Sequence, residues 1–128
     1  MTEGDRVTIR AASRWGMHEL TVSLQTGEGR IRRRVSRLDF DETHELHVSD
    51  ADLARLRETA ATVCREDQDL ATGDPIHAIG EEKVCVILGD RRVQVHDPYG
   101  RLTMPGAGDL ARLGEELADK HLPLPRDL

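Results

Sequence analysis

Runs of alternating apolar and polar residues dominate the first fifty positions, and this constrains the fold more than any other feature of the chain. Val7, Ile9 and Ala11 alternate with Arg6, Thr8 and Arg10. Leu20, Val22 and Leu24 then alternate with Glu19, Thr21, Ser23 and Gln25. A period of two is that of a strand with one face in a core and the other in water. Gly27-Glu28-Gly29 punctuates the pattern and opens a third strand, Arg30 to Leu38. Asp39 to Glu42 reads as a turn, with a fourth strand from Thr43 to Val48.

Helical spacing follows. Ser49 is a favourable N-cap, with Asp52 three residues on, and Leu53, Leu56, Ala60 and Val63 fall on one face through about residue 65. Residues 66–82 are acidic and irregular, broken by Gly73-Asp74-Pro75, and read as a connecting loop or an edge strand over 76–79. Val84 to Leu88 has no polar face and is expected centrally, covered on both sides. Gly89-Asp90 is a two-residue hairpin signal before Arg91 to His96. A turn at Asp97-Pro98-Tyr99-Gly100 precedes a short strand, 101–104. Asp109 is expected to cap a second helix carrying Leu110, Leu113 and Leu117, with Gly114 weakening it by about 1 kcal/mol relative to Ala.

The expected class is α+β: antiparallel meanders with two packed helices, in the order ββββα and then (β)βββα. Residues 1–122 form one globular domain in this reading, with 123–128 a flexible tail. Asp52-Leu-Ala-Arg-Leu56 recurs as Asp109-Leu-Ala-Arg-Leu113, which raises an internal duplication with halves 5–65 and 76–122. Helix-start chemistry alone also produces such a match, and the two explanations stay open. In topology alone, a doubled ββββα unit is similar to the whirly and PUR-type single-strand nucleic-acid binders.

Pairing across the glycine turn sets Leu24 opposite Ile31, Val22 opposite Arg33 and Leu20 opposite Val35. Pairing across 39–42 sets Val35 opposite Leu46 and Arg33 opposite Val48. One face then collects the aliphatic residues, with Arg33 as an exception that needs either a bulge or an acidic partner. The other face collects Arg30, Arg32 and Arg34 beside Glu45 and His47. Of the 18 basic residues all but Lys83 and Lys120 are Arg, which a GC-rich coding genome explains. That bias does not explain why three arginines share one strand face. Parallel arginines at alternate positions fit a linear anion or an acidic protein segment, whereas the plainer reading is a solvated sheet face.

The formal net charge of −6 argues against non-specific nucleic-acid coating. Three aromatics, Trp15, Phe40 and Tyr99, are too few to tile a stacking groove. Trp15 sits at a hairpin tip, either packed back on the sheet, as expected, or exposed as a binding anchor. His44 and His47 lie three apart, so a strand points them to opposite faces, and no metal or cofactor is expected. Cys64 and Cys85 read as small buried hydrophobes in a reducing cytoplasm, and no apolar run is long enough to span a membrane.

The favoured function is a non-enzymatic binding or regulatory module of the small bacterial inhibitor, immunity or adaptor type. Its partner is expected to be a protein, with Arg30, Arg32, Arg34, Glu45, His47 and Trp15 as contacts and a homodimer as a further association. One alternative is a single-stranded nucleic-acid binder. The other is a small enzyme or ligand-binding domain using His96, Asp97 and Tyr99 at the turn.

Overall fold

The computed structural model describes residues 4–66, 80–97, 102 and 105–124. Six strands form one sheet: β1 (Arg6–Ser13), β2 (Gly16–Ser23), β3 (Glu28–Val35), β4 (Phe40–His47), β5 (Glu81–Leu88) and β6 (Arg91–Asp97). Two helices, α1 (Asp50–Glu66) and α2 (Pro105–His121), complete the described elements. The sheet order is β4-β3-β2-β1-β5-β6 with every neighbour antiparallel. The class is α+β, as the alternation requires. The extra strands considered at 76–79 and 101–104 fall outside the described residues, apart from Leu102, which is buried.

The two-residue period sorts each strand between a helix-facing side and an open side. Val7, Ile9, Leu20, Val22, Ile31, Val84 and Val86 all lie on the helix-facing side at 0–1% exposure. Each such side chain contributes about 1.5–3 kcal/mol on burial. Leu53, Leu56, Ala60 and Val63 of α1 meet Leu110, Leu113 and Leu117 of α2 in the same core. The helices run antiparallel, because Asp52 near the start of α1 pairs with Lys120 near the end of α2, and Arg55 pairs with Glu116. α2 lies over β1, β2, β3 and β5, and α1 over β5 and β6. No described element covers the opposite side of the sheet.

Local chemistry explains the boundaries. The Ser49 hydroxyl accepts the Asp52 N–H at 3.2 Å, a cap worth about 1 kcal/mol. α2 starts at Pro105, four residues before the expected Asp109 cap. Proline suits the first helical position, where its missing N–H has no intrahelical role. Gly114 is not a plain weakness in α2, since a Cβ there would lie 2.5 Å from Ile9 Cγ2. Its absence lets α2 settle onto β1.

The register differs from the expected one while the faces agree. Leu20 pairs with Ile31 and His18 with Arg33, and Arg33 pairs in turn with Glu42. Leu24 has left β2: its N–H bonds the Asp5 carbonyl at 2.8 Å and its side chain turns into the core. The next turn lies at Ser36–Leu38, followed by Asp39 with φ 54, so β4 begins earlier than the alternation suggested. Both slips are even numbers of residues, which preserves the side each residue faces. β5 is next to the β6 edge and is covered on one side by the described elements, leaving Cys85 and Ile87 half-buried on the open side.

β1 and β5 lie antiparallel side by side, with Ile9 opposite Val84 and a tight hairpin following each. A twofold axis through that pair would generate this arrangement together with the antiparallel helices. The repeated pentapeptides bury the same leucines, Leu53 and Leu56 against Leu110 and Leu113. Their aspartates differ: Asp52 is buried against Lys120, whereas Asp109 is exposed.

Candidate functional site

The alternation of β3 places Arg30, Arg32 and Arg34 in a row on the open side. Their cross-strand neighbours are Thr21, Glu19 and Met17 on β2 and Glu45, Thr43 and Asp41 on β4. Arg30, Arg32 and Glu45 border a depression of about 760 Å³, which Arg6, Glu19 and Glu28 also line. Arg32 donates two hydrogen bonds to Asp41, Nε to Oδ1 at 3.0 Å and Nη2 to Oδ2 at 2.9 Å. The Arg32 guanidinium holds the Asp41 carboxyl below its usual range, and the same bond raises Arg32. Arg30 and Arg34 make no ion pair within 4 Å among the described residues. His47 shares this side at the far end of β4, opposite Glu28.

Seven basic side chains (Arg6, Arg10, Arg30, Arg32, Arg34, Lys83 and Arg92) share the open side with five acidic ones (Glu19, Glu28, Asp41, Glu45 and Glu81). The acidic excess of the chain therefore lies elsewhere. Interleaved carboxylates make this a mixed-charge surface, which suits a complementary protein face better than a continuous polyanion.

Trp15 is not packed back on the sheet. It stands at the tip of the β1–β2 hairpin at 57% exposure, beyond both layers. The Arg14 guanidinium lies 4.7 Å from its ring centroid. Trp15 and Leu124 are the exposed large hydrophobics among the described residues, and both line one pocket of about 460 Å³ at this hairpin end.

Three ionisable residues on the helix-facing side border that pocket. Arg33, His18, Ala11 and Glu82 lie in one register row across β3, β2, β1 and β5. The problem posed by Arg33 is resolved by a partner and not by a bulge. Its Nη1 donates to the Leu122 carbonyl at 3.0 Å and pairs with Asp119 at 3.0 Å. Glu82 accepts the Leu102 N–H at 2.7 Å and pairs with Arg112 of α2. His18 differs from both. Its Nε2 is buried without a hydrogen-bond partner, and burial, aided by the Arg33 charge, pushes its pKa below the ordinary value. It is therefore a neutral imidazole at pH 7. The sequence signal for this row was polar residues at apolar positions of the alternation, visible for Arg33 and overlooked for His18 and Glu82.

No protein-family model matches the chain, and no curated protein matches it. The site has to be read from its own chemistry.

The turn considered for acid/base work does not assemble among the described residues. His96 lies on the open side with Nε2 at 3.0 Å from Glu81 Oε2, while Asp97 faces the other side, opposite Glu82. Tyr99 lies outside the described residues. His44 pairs with Glu42 at 2.9 Å on the helix-facing side, away from His47. No three metal-ligating side chains are grouped among the described residues. Cys64 is buried, and burial raises its thiol pKa, which disfavours the nucleophilic thiolate. No described helix is long and apolar enough to cross a membrane.

Proposed function

We propose that the chain is a non-enzymatic binding module that recognises another protein through the open side of its sheet. The observation that carries this reading is that one whole side of a six-stranded sheet has no covering element among the described residues. Arg30 and Arg34 are uncommitted on that side, Arg32 is fixed by Asp41, and Trp15 stands at its corner. Tryptophan and arginine are the side chains that most often dominate binding energy at protein interfaces. Mixed charge sets orientation and partner choice and adds less to raw affinity. The free thiols Cys64 and Cys85 support a reducing, cytoplasmic setting.

Affinity capture from the native host with the tagged chain tests this reading, using Arg30→Glu/Arg34→Glu and Trp15→Ala as controls. Recovery of one protein by the wild type, lost with the charge reversal, is the expected result. Salt-sensitive recovery of nucleic acid would favour the single-strand binder instead. A second copy of the chain as the sole partner, seen by light scattering, would make this side a homodimer interface. Equal recovery by wild type and both variants overturns the proposal.

A further inference from the structure

The two edges of the sheet differ in how they are protected. β4 carries Asp41, Glu42 and Glu45 and no lysine or arginine, so two copies of it repel. β6 has neither proline nor lysine, and it pairs with β5 without a bulge from Arg91 to Asp97. The devices that usually blunt a strand edge are therefore missing from β6.

The hairpin fixes which backbone groups β6 turns outward. Leu88 and Arg91 flank its two-residue turn, where Gly89 has φ 62. The closing pair of such a turn is hydrogen-bonded, and bonded pairs alternate along an antiparallel ladder. Arg91, Val93, Val95 and Asp97 thus direct their backbone groups to β5. Arg92, Gln94 and His96 direct theirs to the outer edge, where no described strand meets them.

The sequence of β6 is complementary to itself about Gln94. Antiparallel pairing of two copies centred there sets Gln94 opposite Gln94 and Arg92 opposite His96, so every outward N–H and C=O finds a partner. It also sets Val93 opposite Val95 and Arg91 opposite Asp97. Val93, half-buried in one copy, then meets the buried Val95 of the other, and the apolar row runs on across the seam. Opposite charges face each other at both ends of the seam. Arg91 and Asp97 also interact within their own chain. A guanidinium has five donors and a carboxylate about four acceptor sites, so each has capacity for the second contact. On the open side His96 bonds Glu81, which places a carboxylate behind the imidazole that Arg92 of the second copy meets.

We propose that β6 pairs with β6 of a second copy about a twofold axis at Gln94, joining two six-stranded sheets into one. The register keeps each residue on its own side, so both helix layers lie together and the two open sides form one surface. The proposal goes beyond the protein-recognition reading, does not depend on it, and is distinct from a dimer through the open side.

The test is the mass of the full chain over a concentration series, by sedimentation equilibrium. One strand edge is a small interface, so wild type is expected to pass from monomer to dimer between micromolar and millimolar concentrations. Arg91→Asp and Asp97→Arg each set like charges opposite at both ends and are expected to weaken the dimer about tenfold. The double variant Arg91→Asp/Asp97→Arg is expected to recover it, because the charges are again opposite. Gln94→Pro removes an outward N–H without touching a bond to β5, and is expected to give a monomer with the circular dichroism of wild type. Arg30→Glu/Arg34→Glu leaves dimerisation unchanged. The proposal is overturned if wild type stays monomeric up to millimolar concentration or if Gln94→Pro dimerises as wild type does. It is also overturned if the double variant dimerises no better than either single reversal, or if Arg30→Glu/Arg34→Glu abolishes the dimer.

Discussion

Arg33 and Arg34 are consecutive residues of one strand, yet they meet opposite surroundings. Arg33 points under α2, with 11% of its side chain exposed, and gives its donors to Asp119 and the Leu122 carbonyl. Arg34 points to the open side beside Arg32, where Asp41 acts on it through charge alone and forms its hydrogen bonds with Arg32. The strand pleat accounts for the whole contrast. An arginine on the covered side must have a partner or unfold the layer, so its role is structural. An arginine on the open side is hydrated, needs no partner to be stable, and is free to serve recognition.

Substitutions along β3 sharpen this contrast. Ile31, at 0% exposure, shares the covered side. Ile31→Ala is expected to cost about 2–5 kcal/mol in denaturant unfolding, from lost transfer energy and the cavity left behind. Arg33→Ala should cost less, about 1–3 kcal/mol, since it orphans the Leu122 carbonyl while leaving Asp119 largely solvated. A cost near zero would place Arg33 on the wrong side.

The pH dependence of unfolding is a smaller effect with a definite sign. His18 has a folded pKa below its ordinary 6.5, so the unfolded chain binds the proton more readily. Its contribution is fully present above that ordinary value and is lost as pH falls through the window below it. His18→Phe is expected to flatten this part of the stability curve, measured by melting temperature between neutral and mildly acidic pH. The smallest change is expected for Arg30→Ala, within about 0.5 kcal/mol of wild type in the same unfolding assay.

The sidedness of this chain was legible because alternation is a parity signal. Val7, Ile9, Leu20, Val22 and Ile31 declared one side, and Arg30, Arg32 and Arg34 the other. Register was less legible, because turns set it. Leu24 looks like a strand residue but opens the β2–β3 turn, with its N–H on the Asp5 carbonyl and its side chain in the core. The left-handed Asp39 lies beyond what propensity alone assigns to an aspartate. The partners of Arg33 were out of reach for a different reason. Asp119 and Leu122 lie nearly ninety residues away, and only packing brings them to β3. Trp15 departs from the packing expected of it because apolar size alone favours burial, while a two-residue hairpin tip leaves the ring 57% exposed.

Side-specific arginine chemistry tests the central contrast most directly. Brief treatment of the folded chain with phenylglyoxal, followed by peptide mass spectrometry, ranks each guanidinium by access. Arg30 and Arg34 are predicted to react rapidly and Arg33 only after unfolding. Modification of Arg33 in the folded chain as fast as Arg34 would contradict the assignment of the two sides.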